Sequence, residues 1–147
     1  MIAAQLPYLV QVYKALGHPA RIRILAMLRT GELCACQITA VLALAPSTVS
    51  AHLAELRRAG LIAQRREGRW VHCRVAERED AGEIGAWLWQ RIRRDAQIRR
   101  DAGAVKQLRA VPVDELCRVD LDLTRLAIAR GTRTPRGDDA MMSERAR

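Results

Sequence analysis

The chain has no phenylalanine, and its few aromatic residues are three Trp and two Tyr. Its core must therefore be built from Leu, Ile, Val and Ala, drawn from a hydrophobic fraction of 50%. An aliphatic core in a chain this short is often completed by a second copy. Lysine is nearly missing too: apart from Lys14 and Lys106, every base is arginine. No apolar run is long enough to cross a bilayer. The start MIAAQLPYLV lacks the basic n-region and long apolar stretch of a secretion signal. These absences predict a cytoplasmic protein with no membrane partner and with its thiols reduced. There is no HExxH, no glycine-rich phosphate loop and no nucleophile–base–orienter spacing, so an enzyme is not expected, nor an organic cofactor. Residues 77–103 contain no histidine, which argues against an Asp/His zinc site there, and His18, His52 and His72 show no metal-binding spacing.

What is present is positive charge. Lys+Arg number 25 against 16 Asp+Glu, a formal net charge of +9 over 147 residues. The arginine fork matches phosphate oxygens, so double-stranded DNA is the partner this balance suits. The length fits one domain with attached ends.

Apolar periodicity divides the chain. Leu6, Leu9, Val10, Tyr13 and Leu16 share one helical face that ends near Gly17. Pro19 suits the first turn of a second helix carrying Ile22, Ile24, Leu25 and Leu28. A third helix is expected over about residues 36–44, and Ala45–Pro46 breaks it. A fourth runs from about Ser47, a candidate N-cap, to Ala59, with Gly60 as its C′ stop. Residues 61–75 alternate about Glu67–Gly68 and predict a hairpin. One more helix is expected from Glu77 to about Gly103, and a short one over residues 113–130. The composition after Gly131 looks disordered. The expected fold is mainly α, a winged helix-turn-helix of order ααααββα. Residues 1–105 form the DNA-binding and dimerisation domain, and residues 106–147 a C-terminal extension, partly disordered.

The fourth helix has the character of a DNA reader. Val49, Leu53 and Leu56 fall at i, i+4 and i+7 and can dock it. Ser47, Thr48, Ser50 and Ala51 offer small or hydroxylated side chains for close approach to bases and phosphates. His52 lies at the edge of the buried face and suits either packing or DNA contact. Arg57 and Arg58 can reach phosphates. Residues 57–74 hold six arginines and one acidic residue, Glu67, so Arg65, Arg66 and Arg69 make the hairpin a candidate wing.

Four cysteines complete the inventory: Cys34, Cys36, Cys73 and Cys117. Cys34 and Cys36, at i and i+2, would diverge by about 200° in a regular helix. They can share one ion only if the helix start is distorted. A helix N-terminus lowers thiol pKa, and thiolates select soft ions. Trivalent arsenic and antimony are soft and accept pyramidal three-sulfur coordination.

The segments ALGHPARIRILAMLRTGELCACQI, LALAPSTVSAHLAELRRAGLI and REGRWVHCRV together resemble the ArsR/SmtB winged-helix metalloregulatory repressors, over about residues 6–100. The resemblance implies a homodimer paired through the first and last core helices. It also implies an operator-bound repressor that leaves DNA when its inducer binds. Glu32, Leu33, Cys34 and Cys36 match the arsenic-responsive branch, which implies arsenite or antimonite, As(III)/Sb(III), as the inducer. That branch carries a third thiolate three residues after the second, where this chain has Thr39. Three substitutes are open: Cys117 folding back or crossing the dimer, Cys73 from the wing, or two thiols alone with a monosubstituted arsenical. Cys34, Cys36 and Cys117 are the expected ligands, while Cys73 suits a small buried hydrophobe. A thiol-redox repressor using the same cysteines is the alternative.

Overall fold

The computed structural model describes residues 5–128. Helix α1 (Leu6–Leu16) leads to α2 (Pro19–Leu28), then strand β1 (Leu33–Cys34), α3 (Ala35–Leu42) and α4 (Pro46–Arg58). Strands β2 (Ile62–Glu67) and β3 (Trp70–Val75) follow, then α5 (Glu79–Ile92), α6 (Ala96–Leu108) and α7 (Val113–Arg118). A 3₁₀ turn at Leu123–Leu126 ends the described chain. This is a mainly α winged helix-turn-helix.

Local chemistry sets the helix limits. Pro7, Pro19 and Pro46 lie in the first turns of α1, α2 and α4, where a missing N–H costs nothing. His18 caps α2 by accepting from the Ala20 N–H at 3.1 Å. Gly60 takes φ +73° after α4. The Leu61 N–H reaches Leu56 O at 3.0 Å and the Gly60 N–H reaches Arg57 O at 3.0 Å. Those two bonds are a Schellman stop, closed by buried Leu56 and Leu61. Helices α3 and α4 meet at 115°, as a helix-turn-helix does.

The core is aliphatic: Ile24, Leu28, Ile38, Leu42, Leu56 and Leu61 are all buried. Leu108, Leu116, Leu123 and Ile128 join the same cluster. Residues beyond 105 therefore contribute to one core with the winged helix, and the boundary expected at 105 falls inside α6. The disorder expected of the tail beyond Gly131 lies outside the described residues. No single described helix is long and apolar enough to cross a membrane.

Four expectations need correction. The single helix expected over 77–103 is two, because Asp95 turns the chain and caps α6, accepting from Gln97 N–H at 2.8 Å and Ile98 N–H at 3.1 Å. The late helix is confined to Val113–Arg118 plus the 3₁₀ turn. Ala45, not Ser47, is the N-cap of α4. The hairpin is part of a three-stranded sheet of order β1-β3-β2, in which Leu33 pairs with Cys73 and Cys34 with His72.

Helix α6 is anchored to α2 by a buried ion pair. Arg23 Nε donates to Asp101 Oδ2 at 2.7 Å and its NH2 to Oδ1 at 2.8 Å. The two side chains are 3% and 1% exposed, which puts the pair in the interior and not on a solvated face.

Candidate functional site

Cys34 is not inside α3. It ends β1 and serves as the N-cap, with extended backbone at φ −68°, ψ 144°. Its N–H donates to Gln37 Oε1 at 2.8 Å, and its sulfur accepts from the Gln37 N–H, a capping box with a thiol in the usual hydroxyl position. The helical divergence of the pair is thereby removed, and the Cys36 thiol hydrogen-bonds to Cys34. That bond is the main reason the Cys34 thiol is lowered to about 6, against the opposing effect of burial. The Cys36 amide, the charge of His72 and the Gln37 amide add to it. Cys36 is pushed up, first by donating a hydrogen bond to Cys34, then by burial and by its neighbours Cys34 and Cys117.

Cys117, on α7, lies beside Cys36. Both line an open cleft of about 440 Å³ whose walls come from α3, α4 and the end of α7. Cys36 is thus shared by two thiol pairs, one with Cys34 and one with Cys117. Among the described residues, no three His, Cys, Asp or Glu side chains converge closely enough to hold a metal ion as they stand. Thr39 lines the same cleft, but its hydroxyl is committed to Ala35 O at 2.8 Å. Cys73 stands apart. It is fully buried, takes a 3.6 Å contact from Gln64 Nε2, and burial raises its thiol to about 11.

On α4, Val49, Leu53 and Leu56 are buried, while Ser47, Thr48, Ser50 and Ala51 are exposed along the outer face. His52 is half-buried. Its ring lies 4.3 Å from that of His18, and burial lowers its pKa. Arg57 donates to Gln64 at 2.8 Å, and Arg58 pairs with Glu55. On the wing, Arg65 grips both oxygens of Glu32 through Nε at 3.0 Å and also bonds Glu67 at 2.9 Å. Arg69 lies over the Trp70 ring at 4.5 Å and reaches Asp114 at 3.3 Å. Arg66 is exposed. Apart from half-buried His52, the residues expected to meet DNA lie on the outside of α4 and the wing, while Cys36 and Cys117 open beneath α4.

A profile described as "Bacterial regulatory protein, arsR family" matches residues 18–64. The arsenic resistance transcriptional regulator ArsR2 of Pseudomonas putida is 30% identical over 104 residues, 70% of this chain and 86% of that protein. The chain belongs to the ArsR family. The arsenic resistance transcriptional regulator ArsR1 of Pseudomonas putida is 45% identical over 65 residues. Those residues are 44% of this chain and 51% of that relative, so the chain spans about half its length. Among solved structures, the homodimeric winged helix-turn-helix DNA-binding domain Mb0332 of Mycobacterium bovis is similar, with a TM-score of 0.54 and 29% identity. The likeness covers 63% of this chain and 91% of that one. A family of regulators agrees with the expectation that the chain is not an enzyme.

The profile match holds Cys34 and Cys36 but not Cys117. This ArsR-family chain also places three residues at the site that sequence reasoning had not assigned there. Arg109 follows α6 and holds the loop before Cys34, donating to Thr30 Oγ1 at 3.1 Å, Gly31 O at 3.2 Å and Glu32 O at 3.1 Å. Glu32 ties that loop to the wing through Arg65. Asp114 ties α7 to the wing tip through Arg69. Glu32 stands in the ELCAC segment and could have been read as a partner for a wing arginine. Arg109 and Asp114 lie far along the chain from their partners and carry no local signal.

Proposed function

We propose that this chain is a homodimeric, DNA-binding transcriptional repressor that trivalent arsenic or antimony releases from its operator. Cys36, set between Cys34 and Cys117 against α4, is the observation that carries the reading. Three soft sulfur donors suit As(III) or Sb(III) and suit harder ions poorly. The cysteines that hold the inducer are Cys34, Cys36 and Cys117. Drawing them onto one atom shifts the start of α3 and the end of α7, both of which border α4.

The DNA-binding reading rests on the exposed face of α4, from Ser47 to Ala51, with Arg57 and Arg58 behind it and the wing arginines Arg65, Arg66 and Arg69 beside it. His52 faces His18 and positions α4. The dimer reading rests on α1 and α5, which leave Leu6, Tyr13 and Trp87 74%, 68% and 51% exposed. An apolar groove of about 340 Å³ lies between these two helices, lined by Leu9, Tyr13, Ile84 and Trp87. Apolar faces of this kind are covered in a stable assembly. Two copies of α4 then meet successive major grooves of a palindrome. Inducer binding favours a dimer that fits DNA poorly, and by linkage DNA weakens inducer binding equally.

The test is an operator-release titration with arsenite under reducing conditions. Cys34→Ser and Cys36→Ser should each keep operator affinity and lose release. Cys117→Ser should raise the arsenite concentration needed. Normal release by either of the first two variants would refute the assignment. The placement of Cys36 and Cys117 in one cleft also supports a second reading, redox sensing through a Cys36–Cys117 bridge. Release by peroxide, but not by arsenite, would favour it.

A further inference from the structure

The arginines of this chain differ in whether the fold already occupies them. Of the six over residues 57–74, four hold a carboxylate and Arg57 holds the Gln64 amide, which leaves Arg66. The corner between α5 and α6 is different. Arg93 and Arg94 end α5 and turn the chain, and Arg99 lies near the start of α6. All three are exposed, and among the described residues none has an ion pair or a side-chain hydrogen bond. The run RIRRDAQIRRD, residues 91–101, reads as mixed charge, with two aspartates among five arginines. The fold withdraws both acids. Asp101 is buried against Arg23, and Asp95 turns its carboxylate to the Gln97 and Ile98 N–H groups. What this corner shows to solvent is uncommitted guanidinium.

The corner stands apart from the reading face. Helix α6 packs on α2 and α3. Its far end leads to Arg109, which holds the Thr30–Glu32 loop beside the wing. The 13 residues of α6 place about 20 Å between that loop and the corner. Nor does the corner belong to the apolar groove of α1 and α5, which takes Glu83, Ile84 and Trp87 from α5.

We infer that Arg93, Arg94 and Arg99 form a second DNA-phosphate surface, which holds a duplex segment other than the one under α4 and the wing. The inference rests on the DNA-binding reading above. A guanidinium fork matches phosphate oxygens and needs no base sequence. These three side chains also give up no protein partner when they turn to a phosphate, whereas Arg65 and Arg69 must leave Glu32 and Asp114. A dimer carries two such corners besides its two reading helices, so one repressor can hold two stretches of duplex together.

The experiment immobilises a duplex that the full chain selects from a random-sequence pool. It then reads protein-dependent capture of a second, labelled duplex of unrelated sequence. The wild type should capture it. A variant combining Arg93→Gln, Arg94→Gln and Arg99→Gln should lose about tenfold in capture, and the log–log salt slope of capture should fall by about 3. Its affinity for the selected duplex alone, in fluorescence anisotropy, should stay within about twofold. Arg93→Lys with Arg94→Lys and Arg99→Lys should keep most of the capture, because charge and not fork geometry dominates contact with phosphate. Three results would each overturn the inference: no capture by wild type that binds the selected duplex, undiminished capture by the glutamine variant, or loss of selected-duplex affinity in that variant. Tighter retention of the wild type on phosphatidylglycerol vesicles than on the second duplex would assign the corner to a lipid surface and overturn it too. If no duplex is selected at all, the DNA-binding reading falls with it.

Discussion

Replacing Asp101 by Asn tests how this fold is held together at its interior seam. Asp101 receives both arms of Arg23 and a further bond from Gln97 at 2.9 Å. At 1% exposure it has no water to replace them. The substitution keeps the shape but takes away the carboxylate that balances a buried guanidinium. Breaking a buried pair from one side costs about 3–5 kcal/mol. That is a large part of the roughly 5–15 kcal/mol that holds a domain folded. At this size each kcal/mol moves the melting point by about 3–5 °C, so a drop of about 10–25 °C is expected. The pair itself is a different matter, because two desolvated charges return little net energy. Arg23→Met with Asp101→Leu should therefore lose far less than Asp101→Asn alone. Urea unfolding followed by circular dichroism, at fixed protomer concentration, measures both. A loss under about 1 kcal/mol for Asp101→Asn would refute the reasoning. So would a double variant that costs as much as its two single substitutions added together. Hydrogen exchange supplies a local check: α6 and the Thr30–Glu32 loop, linked by Arg109, should lose protection together.

Glu32→Gln should tighten operator binding and steepen its salt dependence, because Arg65 is released toward phosphate and a negative charge leaves the wing; weaker binding in fluorescence anisotropy would contradict this. The ultraviolet thiolate absorbance should titrate near pH 6 for Cys34, move upward in Cys36→Ser and vanish in Cys34→Ser. The Cys34 thiol is lowered from an ordinary 9.0, so its contribution to stability is complete above pH 9 and is lost as pH falls through about 6. Denaturation midpoints across that range should follow this sign in the wild type and not in Cys34→Ser. Ala43 closes α3 at φ 53°, and Ala43→Gly should gain up to about 1 kcal/mol in chemical denaturation; a loss would show that the site does not carry this strain. Trp87→Glu should weaken the dimer, and an unchanged mass in light scattering would place the interface elsewhere.

Much of the reader was legible because its signals are local. Pro46, the spacing of Val49, Leu53 and Leu56, and Gly60 define α4 within fifteen consecutive residues. The wing announces itself through alternation about Gly68. Legibility stops where structure depends on distant partners. Strand β1 is two residues long and exists because β3 is there to pair with it. Asp95 resembles any other acid in an arginine-rich run until its side chain is seen capping α6. Asp101 reads as a surface residue on a charged helix, yet it is buried because Arg23 comes from 78 residues away. Six arginines over residues 57–74 mark the hairpin as a candidate wing, but nothing local shows that Arg65 and Arg69 are engaged by Glu32 and Asp114 from other segments. The thiols divide in the same way. Cys34 and Cys36 are visible as a pair, whereas the place of Cys117 depends on how α6 and α7 return to α3.

The pairing of Cys34 with His72 has a practical meaning for anyone building a biosensor from this chain. ELCAC cannot be grafted onto another scaffold as a cassette, because one of its sulfurs is fixed by a strand that the wing completes. The smallest transplantable unit runs from the loop at Thr30 to the end of α7, because Arg109 holds that loop and Cys117 borders Cys36. Swapping the wing alone would also remove the strand that fixes Cys34.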